Sequence, residues 1–124
     1  GTTRTPNTPW ITSIDENSDW ISANDPCTIL LGTGWRIPTI TEWNNADAGW
    51  SSYTDTYNSV LKIHAAGYLI GSSGSLYNRG ISGYYWSSTQ LSSLYGWNLI
   101  FGSGDCLMSN FSKTMGFSLR CLRD

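Results

Sequence analysis

Residues 83–124 read GYYWSSTQLSSLYGWNLIFGSGDCLMSNFSKTMGFSLRCLRD and decide the fold class. Runs in which apolar residues alternate, at 84–88, 97–101 and 117–121, are separated by segments rich in Ser, Gly, Asn and Asp. Period-two alternation with such punctuation is typical of antiparallel strands joined by turns. The sequence therefore predicts that the last part of the chain is an antiparallel sheet.

Before residue 62 the pattern contains a helical signature. Thr39 follows Pro38 and precedes Glu42 by three residues, which is the capping box that satisfies two free backbone donors at a helix start. A second, shorter helix is predicted over 54–61, and short extended segments over 10–14 and 19–21. The apolar face and the end of the first helix are predicted from Ile40, Trp43, Ala46 and Gly49.

Helices early and strands late predict an α+β domain, with one or two helices followed by an antiparallel sheet. Pro6 and Pro9 stand among Thr and Asn, so we interpret residues 1–9 as the end of a linker. Residues 10–124 then form the domain, and an upstream domain is expected in the full-length protein. The strands are predicted at 65–70, 76–77, 84–88, 97–101 and 116–122.

Size and charge exclude several classes of function. At 124 residues and 13.7 kDa the chain fits one domain. The net charge is -2 and the 7 basic residues are scattered, which argues against a nucleic-acid partner. No run approaches the roughly 18–20 apolar residues that a membrane helix needs, so no membrane insertion is expected.

Three cysteines, Cys27, Cys106 and Cys121, allow three single pairings and leave one thiol over. Cys27 follows a turn-like Asn-Asp-Pro sequence and Cys121 ends a strand-like run, so a Cys27–Cys121 disulfide would join the start of the domain to its end. Such a disulfide indicates an oxidising compartment; three free thiols in a cytosolic protein are the alternative. No Cys-x-x-Cys spacing occurs and His64 is remote, so neither a metal site nor a cofactor is expected.

The strand predicted at 97–101 suggests a binding face. If Leu99 and Phe101 face the core, alternation places Asn98 and Ile100 on the opposite side. Loops predicted at 91–95 and 104–111 would flank that side, and their mixture of large apolar residues with Ser, Gly and Asn is typical of a paratope. The predicted ligand-binding residues are Tyr95, Trp97, Asn98, Ile100, Asp105, Met108, Asn110 and Phe111. Alternatively, the apolar members Ile100, Leu107 and Met108 complete the core, and Trp97 shares the phase of Leu99 and Phe101.

Catalytic motifs are absent from the sequence: it has no Gly-x-Ser-x-Gly, no His-Glu-x-x-His and no phosphate-binding glycine loop. We interpret His64 as a structural residue of a predicted strand. The thiol of Cys106 follows Asp105, whose negative charge raises a thiol pKa rather than lowering it. We therefore predict no catalytic residue and no enzymatic activity.

Several short blocks occur in one order: Asp25-Pro26-Cys27, Gly34 to Thr39 with Glu42-Trp43, Ala66-Gly67-Tyr68, Tyr85 to Thr89, and Gly116 to Cys121. Together they resemble the Fibrobacter succinogenes major paralogous domain family over residues 20–124. The block from Trp35 to Thr39 is also similar to formylglycine-generating enzymes, but we interpret it as structural. Those enzymes are longer and oxidise with a cysteine pair, which the positions of Cys106 and Cys121 do not match.

The resemblance implies a C-type-lectin-like fold in a secreted or bacterial surface protein. Some relatives of that fold are variable proteins of diversity-generating retroelements, in phages and in bacteria, whose C-terminal strands and loops carry hypervariable ligand-facing positions. Residues 88–116 would correspond to that region. The sequence Trp97-Asn98-Leu99 lacks the last carboxylate of the Trp-Asn-Asp motif of calcium-dependent lectins, so no calcium site is expected.

The expected function is therefore recognition or adhesion. The domain would be displayed on a bacterial surface or a phage particle, outside the cytosol, and would bind a protein or glycan ligand on a cell surface. The alternative is an assembly module of a surface fibre, in which the same face packs permanently against protein.

Overall fold

The computed structural model describes residues 14–124. The predicted linker 1–9 and all but the last residue of the predicted segment 10–14 lie outside this range. The helices are α1 (Pro26–Leu31), α2 (Ile40–Asp47) and α3 (Tyr53–Asn58); the strands are β1 (Trp35–Arg36), β2 (Tyr68–Leu69), β3 (Leu76–Tyr77), β4 (Gly83–Gln90), β5 (Tyr95–Phe101), β6 (Cys106–Ser112) and β7 (Leu122–Arg123). The predicted α+β class is confirmed.

Helix α1 was not predicted, because its start has the same residue chemistry as a turn. The carboxylate of Asp25 accepts hydrogen bonds from the backbone N–H of Cys27 at 2.7 Å and of Thr28 at 3.4 Å. Pro26 occupies the first turn, where its missing N–H costs nothing. The second oxygen of Asp25 accepts from the N–H of Ile37 at 2.9 Å, so this side chain ties α1 to the chain after β1.

Helix α2 begins as predicted. The N–H of Thr39 donates to Oε2 of Glu42 at 2.8 Å, and the N–H of Glu42 donates to Oγ1 of Thr39 at 3.2 Å, which completes the capping box. The helix buries Trp43 against the sheet, where the indole Nε1 donates to the carbonyl of Trp86 at 3.2 Å. Helix α2 thereby covers one face of the sheet.

Strands β4, β5 and β6 form an antiparallel sheet in that spatial order. Tyr85 pairs with Leu99, which in turn pairs with Met108. We call the side of the sheet that carries Tyr85, Leu99 and Phe101 the helix-side face, since these residues form the core with Trp43 of α2. Gly83 allows the ring of Phe101 to approach, because a Cβ at position 83 would clash with that ring.

The opposite side, which we call the aromatic face, carries Tyr84, Trp86 and Phe111. Residues 116–118 run beside β4: Ser118 accepts from the N–H of Trp86 at 3.1 Å and donates to the carbonyl of Tyr84 at 3.0 Å. This places the ring of Phe117 against Trp86, with centroids 4.4 Å apart, and against Phe111 at 5.5 Å. The second face of the sheet is therefore covered by rings rather than open.

Several predicted elements are wrong in extent or type. The segment 104–111, predicted as a loop, contains most of β6, because pairing with β5 outweighs its polar, turn-like composition. The segment 19–21 is not a strand; its backbone joins the sheet through one hydrogen bond, from the N–H of Trp20 to the carbonyl of Ser88. The segments predicted at 65–70 and 116–122 form only β2, isolated bridges and the first residue of β7.

A covalent link and a short strand pair bring the two ends of the described chain together. Cys27 and Cys121 form a disulfide with their Cα atoms 5.6 Å apart, which confirms the predicted pairing. Strand β1 pairs with β7, and Arg36 of β1 bonds to the carboxylates of both Glu42 and Asp124. The last part of the chain is thus held against α1 and α2.

Candidate functional site

Residues 14–24 lie along one end of the sheet, beside the β4–β5 hairpin. The N–H of Trp20 donates to the carbonyl of Ser88 at 3.1 Å, and the N–H of Gln90 donates to Oδ1 of Asp19 at 2.8 Å. Nζ of Lys113 donates to Oε1 of Gln90 at 2.7 Å and to the carbonyl of Glu16 at 3.0 Å. Three of these hydrogen bonds attach this irregular segment to β4 and to Lys113, which follows β6, and the fourth joins Lys113 to β4.

A cleft of about 360 Å³ remains between this segment and the sheet, and we call it the hairpin-end cleft. One wall is formed by residues 14–24, the other by the end of β4, Gly96 and Lys113. Its volume lies within the range of small-molecule sites, about 300–1,000 Å³. The described lining residues are Ile14, Asp15, Glu16, Ser18, Asp19, Trp20, Ile21, Asn24, Trp86, Ser87, Ser88, Thr89, Gln90, Gly96 and Lys113.

Two indoles, together with the exposed side chains of Ile14 and Ile21, give the hairpin-end cleft its apolar surface. Trp20 is 43% exposed. Trp86 is half-buried and stacks on Phe117 with an interplanar angle of 28°. Gly96 is buried and allows this ring to lie close to the backbone of β5, because a Cβ at that position would lie only 3.2 Å from the ring. The cleft therefore combines one accessible indole with one that is held in place.

The eight predicted ligand-binding residues do not form one patch. Alternation along β5 and β6 puts Tyr95, Trp97, Met108 and Asn110 toward the helix-side face, and Asn98, Ile100 and Phe111 toward the aromatic face. Asp105 is exposed in the β5–β6 turn, at the opposite end of the strand from Tyr95. The length of β5 separates those two residues by roughly 20 Å.

The predicted exposure of Asn98 is wrong. Asn98 does face away from Leu99, as alternation requires, but its exposure is 0%. It pairs with Trp86 on one side and Ser109 on the other, within the face that the aromatic rings cover. Among the described residues its Oδ1 has no hydrogen-bond partner, while Nδ2 donates to the carbonyl of Leu99 at 3.4 Å. Asn98 cannot contact a ligand in this arrangement.

The large apolar members of the predicted set are also partly enclosed. Met108 packs against the core cluster on the helix-side face. Phe111 lies edge-on to Tyr84, with centroids 6.1 Å apart. Ile100 and Trp97 are half-buried. The alternative in which these residues complete the core therefore holds for Met108, while Tyr95, Asp105 and Asn110 are exposed as predicted.

Cys106, predicted in a loop, lies on β6 and packs against the core. It is the cysteine outside the disulfide. Burial raises the pKa of its thiol to about 12, and the nearby carboxylates of Asp47, Asp105 and Asp55 act in the same direction. A thiol with such a pKa remains protonated at neutral pH and is a poor nucleophile. His64 is exposed.

Within residues 14–124, no group of three or more His, Cys, Asp or Glu side chains is placed to hold a metal ion. In the same range, no helix is long and apolar enough to cross a membrane.

The model of a protein family, DUF8237, described as a domain of unknown function, matches residues 44–122. The chain belongs to the DUF8237 family. The DUF8237 match includes the central sheet, Trp86 and Lys113, and therefore one wall of the hairpin-end cleft; the wall formed by residues 14–24 lies outside it. No curated protein and no solved structure matches the chain.

Trp20, Trp86 and Lys113 were not predicted as site residues. Trp86 lies in the strand predicted at 84–88, and Lys113 lies between the loop predicted at 104–111 and the strand predicted at 116–122. The local signal for Trp20 is an aromatic residue directly after the polar run 15–19. Nothing local indicates that these three side chains meet, because they come from segments far apart in sequence.

Proposed function

We propose that this chain is a non-enzymatic recognition domain with a C-type-lectin-like fold, which binds a ligand in the hairpin-end cleft. The supporting observation is the cleft itself: a concave site of about 360 Å³ in which accessible aromatic surface adjoins amides, hydroxyls and charged groups. Such a combination is typical of small-molecule and glycan sites, in which a few polar groups orient a ligand against an apolar wall.

The scaffold favours binding because it is braced on both sides of the cleft. Trp86 is stacked on Phe117, and the wall formed by residues 14–24 is bonded to Ser88, Gln90 and Lys113. The Cys27–Cys121 disulfide links α1 to the last part of the chain. A preorganised site loses little conformational entropy when a ligand binds.

A second surface lies on the helix-side face of the sheet and consists of Tyr95, Trp97 and Asn110. Tyr95 and Trp97 flank Gly96, which lines the cleft. Tyr95 is 44% exposed, and Trp97 pairs with Asn110 across β5 and β6. These three residues are proposed positions for additional ligand contacts. Together with Asp105 they are proposed positions for hypervariability of the kind found in variable proteins of diversity-generating retroelements. The resemblance to the Fibrobacter succinogenes major paralogous domain family supports this part of the proposal.

The proposed location is the cell surface, the extracellular space or a phage particle. A disulfide between distant parts of the chain is typical of oxidising compartments. An enzymatic role receives no support from the sulfur chemistry, because the free thiol of Cys106 is half-buried and has a raised pKa.

One observation favours an assembly module as the second candidate. In the described sheet β6 is an edge strand, paired with β5 on one side only, and Leu107 of this strand is 44% exposed. An edge strand offers backbone donors and acceptors to another chain. A stable oligomer that protects the β6 amides from hydrogen exchange would favour assembly; a monomer at all concentrations would favour recognition.

The test of the proposed function is binding of the labelled domain to a panel of bacterial cells, measured by flow cytometry. Wild type and Val60→Ala, a matched exposed apolar position at 93% exposure outside the cleft, are expected to bind equally. Trp20→Ala should weaken binding by about tenfold, since an aromatic contact contributes on the order of 1 kcal/mol. Equal binding by Trp20→Ala, or no binding by wild type, would contradict the proposal.

A further inference from the structure

The geometry points to a neutral saccharide as the ligand of the hairpin-end cleft. We infer that the C–H faces of its sugar rings pack on the indoles of Trp20 and Trp86, while its hydroxyls bond to the polar lining. This inference rests on the proposed recognition function and specifies the ligand class for that same site.

The charged groups of the cleft disfavour both kinds of ion. Asp15, Glu16 and Asp19 bring three carboxylates to the lining, so an anionic ligand would lie among like charges. A cationic ligand would instead meet Nζ of Lys113, which lies 3.7 Å from Oε2 of Glu16. It would also compete with the backbone N–H groups of Asn17 and Gln90, which already donate to the carboxylates of Asp15 and Asp19. An uncharged ligand avoids both repulsions and also avoids the desolvation cost of an ion.

The hydrogen-bonding groups include donors and acceptors side by side. Asn24 carries an amide that donates and accepts, Ser88 carries a hydroxyl that does both, and Gln90 retains an NH₂ donor when its Oε1 accepts from Lys113. A hydroxyl also donates and accepts, so a polyol can match such a lining without charge. A purely apolar ligand would desolvate these groups without replacing their hydrogen bonds.

The indoles supply the surface that the C–H face of a sugar ring requires. Trp20 is 43% exposed, and Trp86 is fixed by its stack on Phe117 at 4.4 Å. A volume of about 360 Å³ accommodates roughly one or two sugar rings.

A glycan array tests the inference with the full chain. The array should carry neutral, sialylated or uronic-acid-containing, and amine-bearing glycans. We expect a subset of neutral glycans to bind, and calorimetric titration with the best of them to show about tenfold weaker binding for Trp20→Ala. Trp20→Phe should retain most of the affinity, and the exposed-site control Leu30→Ala should retain all of it. The absence of any bound neutral glycan, selective binding of charged glycans, or full affinity in Trp20→Ala would overturn the inference.

Cell treatments separate failure of this inference from failure of the proposed function. Periodate destroys vicinal diols of surface glycans, whereas protease removes surface proteins. Trp20-dependent binding that periodate abolishes and protease spares supports a saccharide. Trp20-dependent binding that protease abolishes and periodate spares overturns the saccharide and leaves recognition by the cleft intact. Binding that does not depend on Trp20 overturns both.

Discussion

The side chain of Asn98 is fully buried on the aromatic face of the sheet, and its Oδ1 lacks a hydrogen-bond partner among the described residues. A buried polar atom without a partner keeps its desolvation cost, which is about 1–3 kcal/mol. Leucine has a similar shape and carries no such cost. This position is therefore one where a polar residue weakens the fold.

We expect Asn98→Leu to raise the free energy of unfolding by about 1 kcal/mol, because the weak Nδ2 bond of 3.4 Å is lost together with the unpaired oxygen. Urea unfolding of the two proteins measures the difference. A loss of more than about 2 kcal/mol would show instead that Oδ1 is bonded, for example to an internal water.

Asn98 also shows how far a single residue's environment can be predicted. The alternation that places it opposite Leu99 is local and was correct. Whether the aromatic face is open to solvent depends on Phe117, which packs on it because residues 116–118 run beside β4. A period-two pattern gives the phase of a strand but not what covers each face, and for this reason the predicted exposure of Asn98 was wrong.

At the scale of elements, helix α2 could be predicted because its start signal lies within four residues. The capping box of Thr39 and Glu42 is visible in the sequence and forms in the structure. Helix α1 and strand β6 could not be predicted, because their local sequences are typical of turns. Asp25 caps α1 while its second carboxylate oxygen bonds to the distant Ile37, and β6 is paired along its length with β5. Neither contact is visible in the local sequence.

The ion pair between Arg36 of β1 and Glu42 of α2 is expected to make the free energy of unfolding depend on pH in the acidic range. Hydrogen bonds from the Arg36 guanidinium hold the pKa of Glu42 at about 2, well below its usual range. Because the pKa is lower in the folded state, the contribution is present above about pH 4.5 and is lost as the pH falls toward 2.

Glu42→Gln measures this contribution and keeps a capping-box residue. Both side chains are about one-third exposed, so solvent screening reduces the effect to about 1–2 kcal/mol at pH 7. The difference in unfolding free energy between the two proteins should shrink below pH 4.5 and disappear near pH 2. A difference that is constant across this range would contradict the assignment to Glu42.

At the scale of the molecule, the Cys27–Cys121 disulfide spans 94 positions and closes nearly the whole described chain. Its pairing could be predicted because each cysteine has a recognisable neighbourhood at one end of the domain. The hairpin-end cleft could not be predicted, since its walls come from residues 14–24, 86–90, 96 and 113.

Replacement of Cys27 and Cys121 together by Ala should lower the free energy of unfolding by about 4 kcal/mol, as a loop of this length implies. Denaturant titration measures this loss. Cys106→Ala, which removes one sulfur atom beside the core, is the control and should cost about 1 kcal/mol. A loss below about 1 kcal/mol for the double variant would show that the rest of the fold already holds the ends together.

The most direct test of ligand binding in the hairpin-end cleft is a substitution that fills the cleft. The change in the free energy of unfolding is then compared with the change in binding affinity. Gly96→Val places a side chain beside Trp86, 3.2 Å from its ring at the Cβ, and suits a strand position without positive φ. We expect the free energy of unfolding to fall by about 1–3 kcal/mol, because the ring of Trp86 must move to admit the new side chain. Binding of the folded variant to the recognised cells or glycan should fall by at least about tenfold. Unchanged affinity in a stably folded Gly96→Val protein would show that the ligand binds elsewhere.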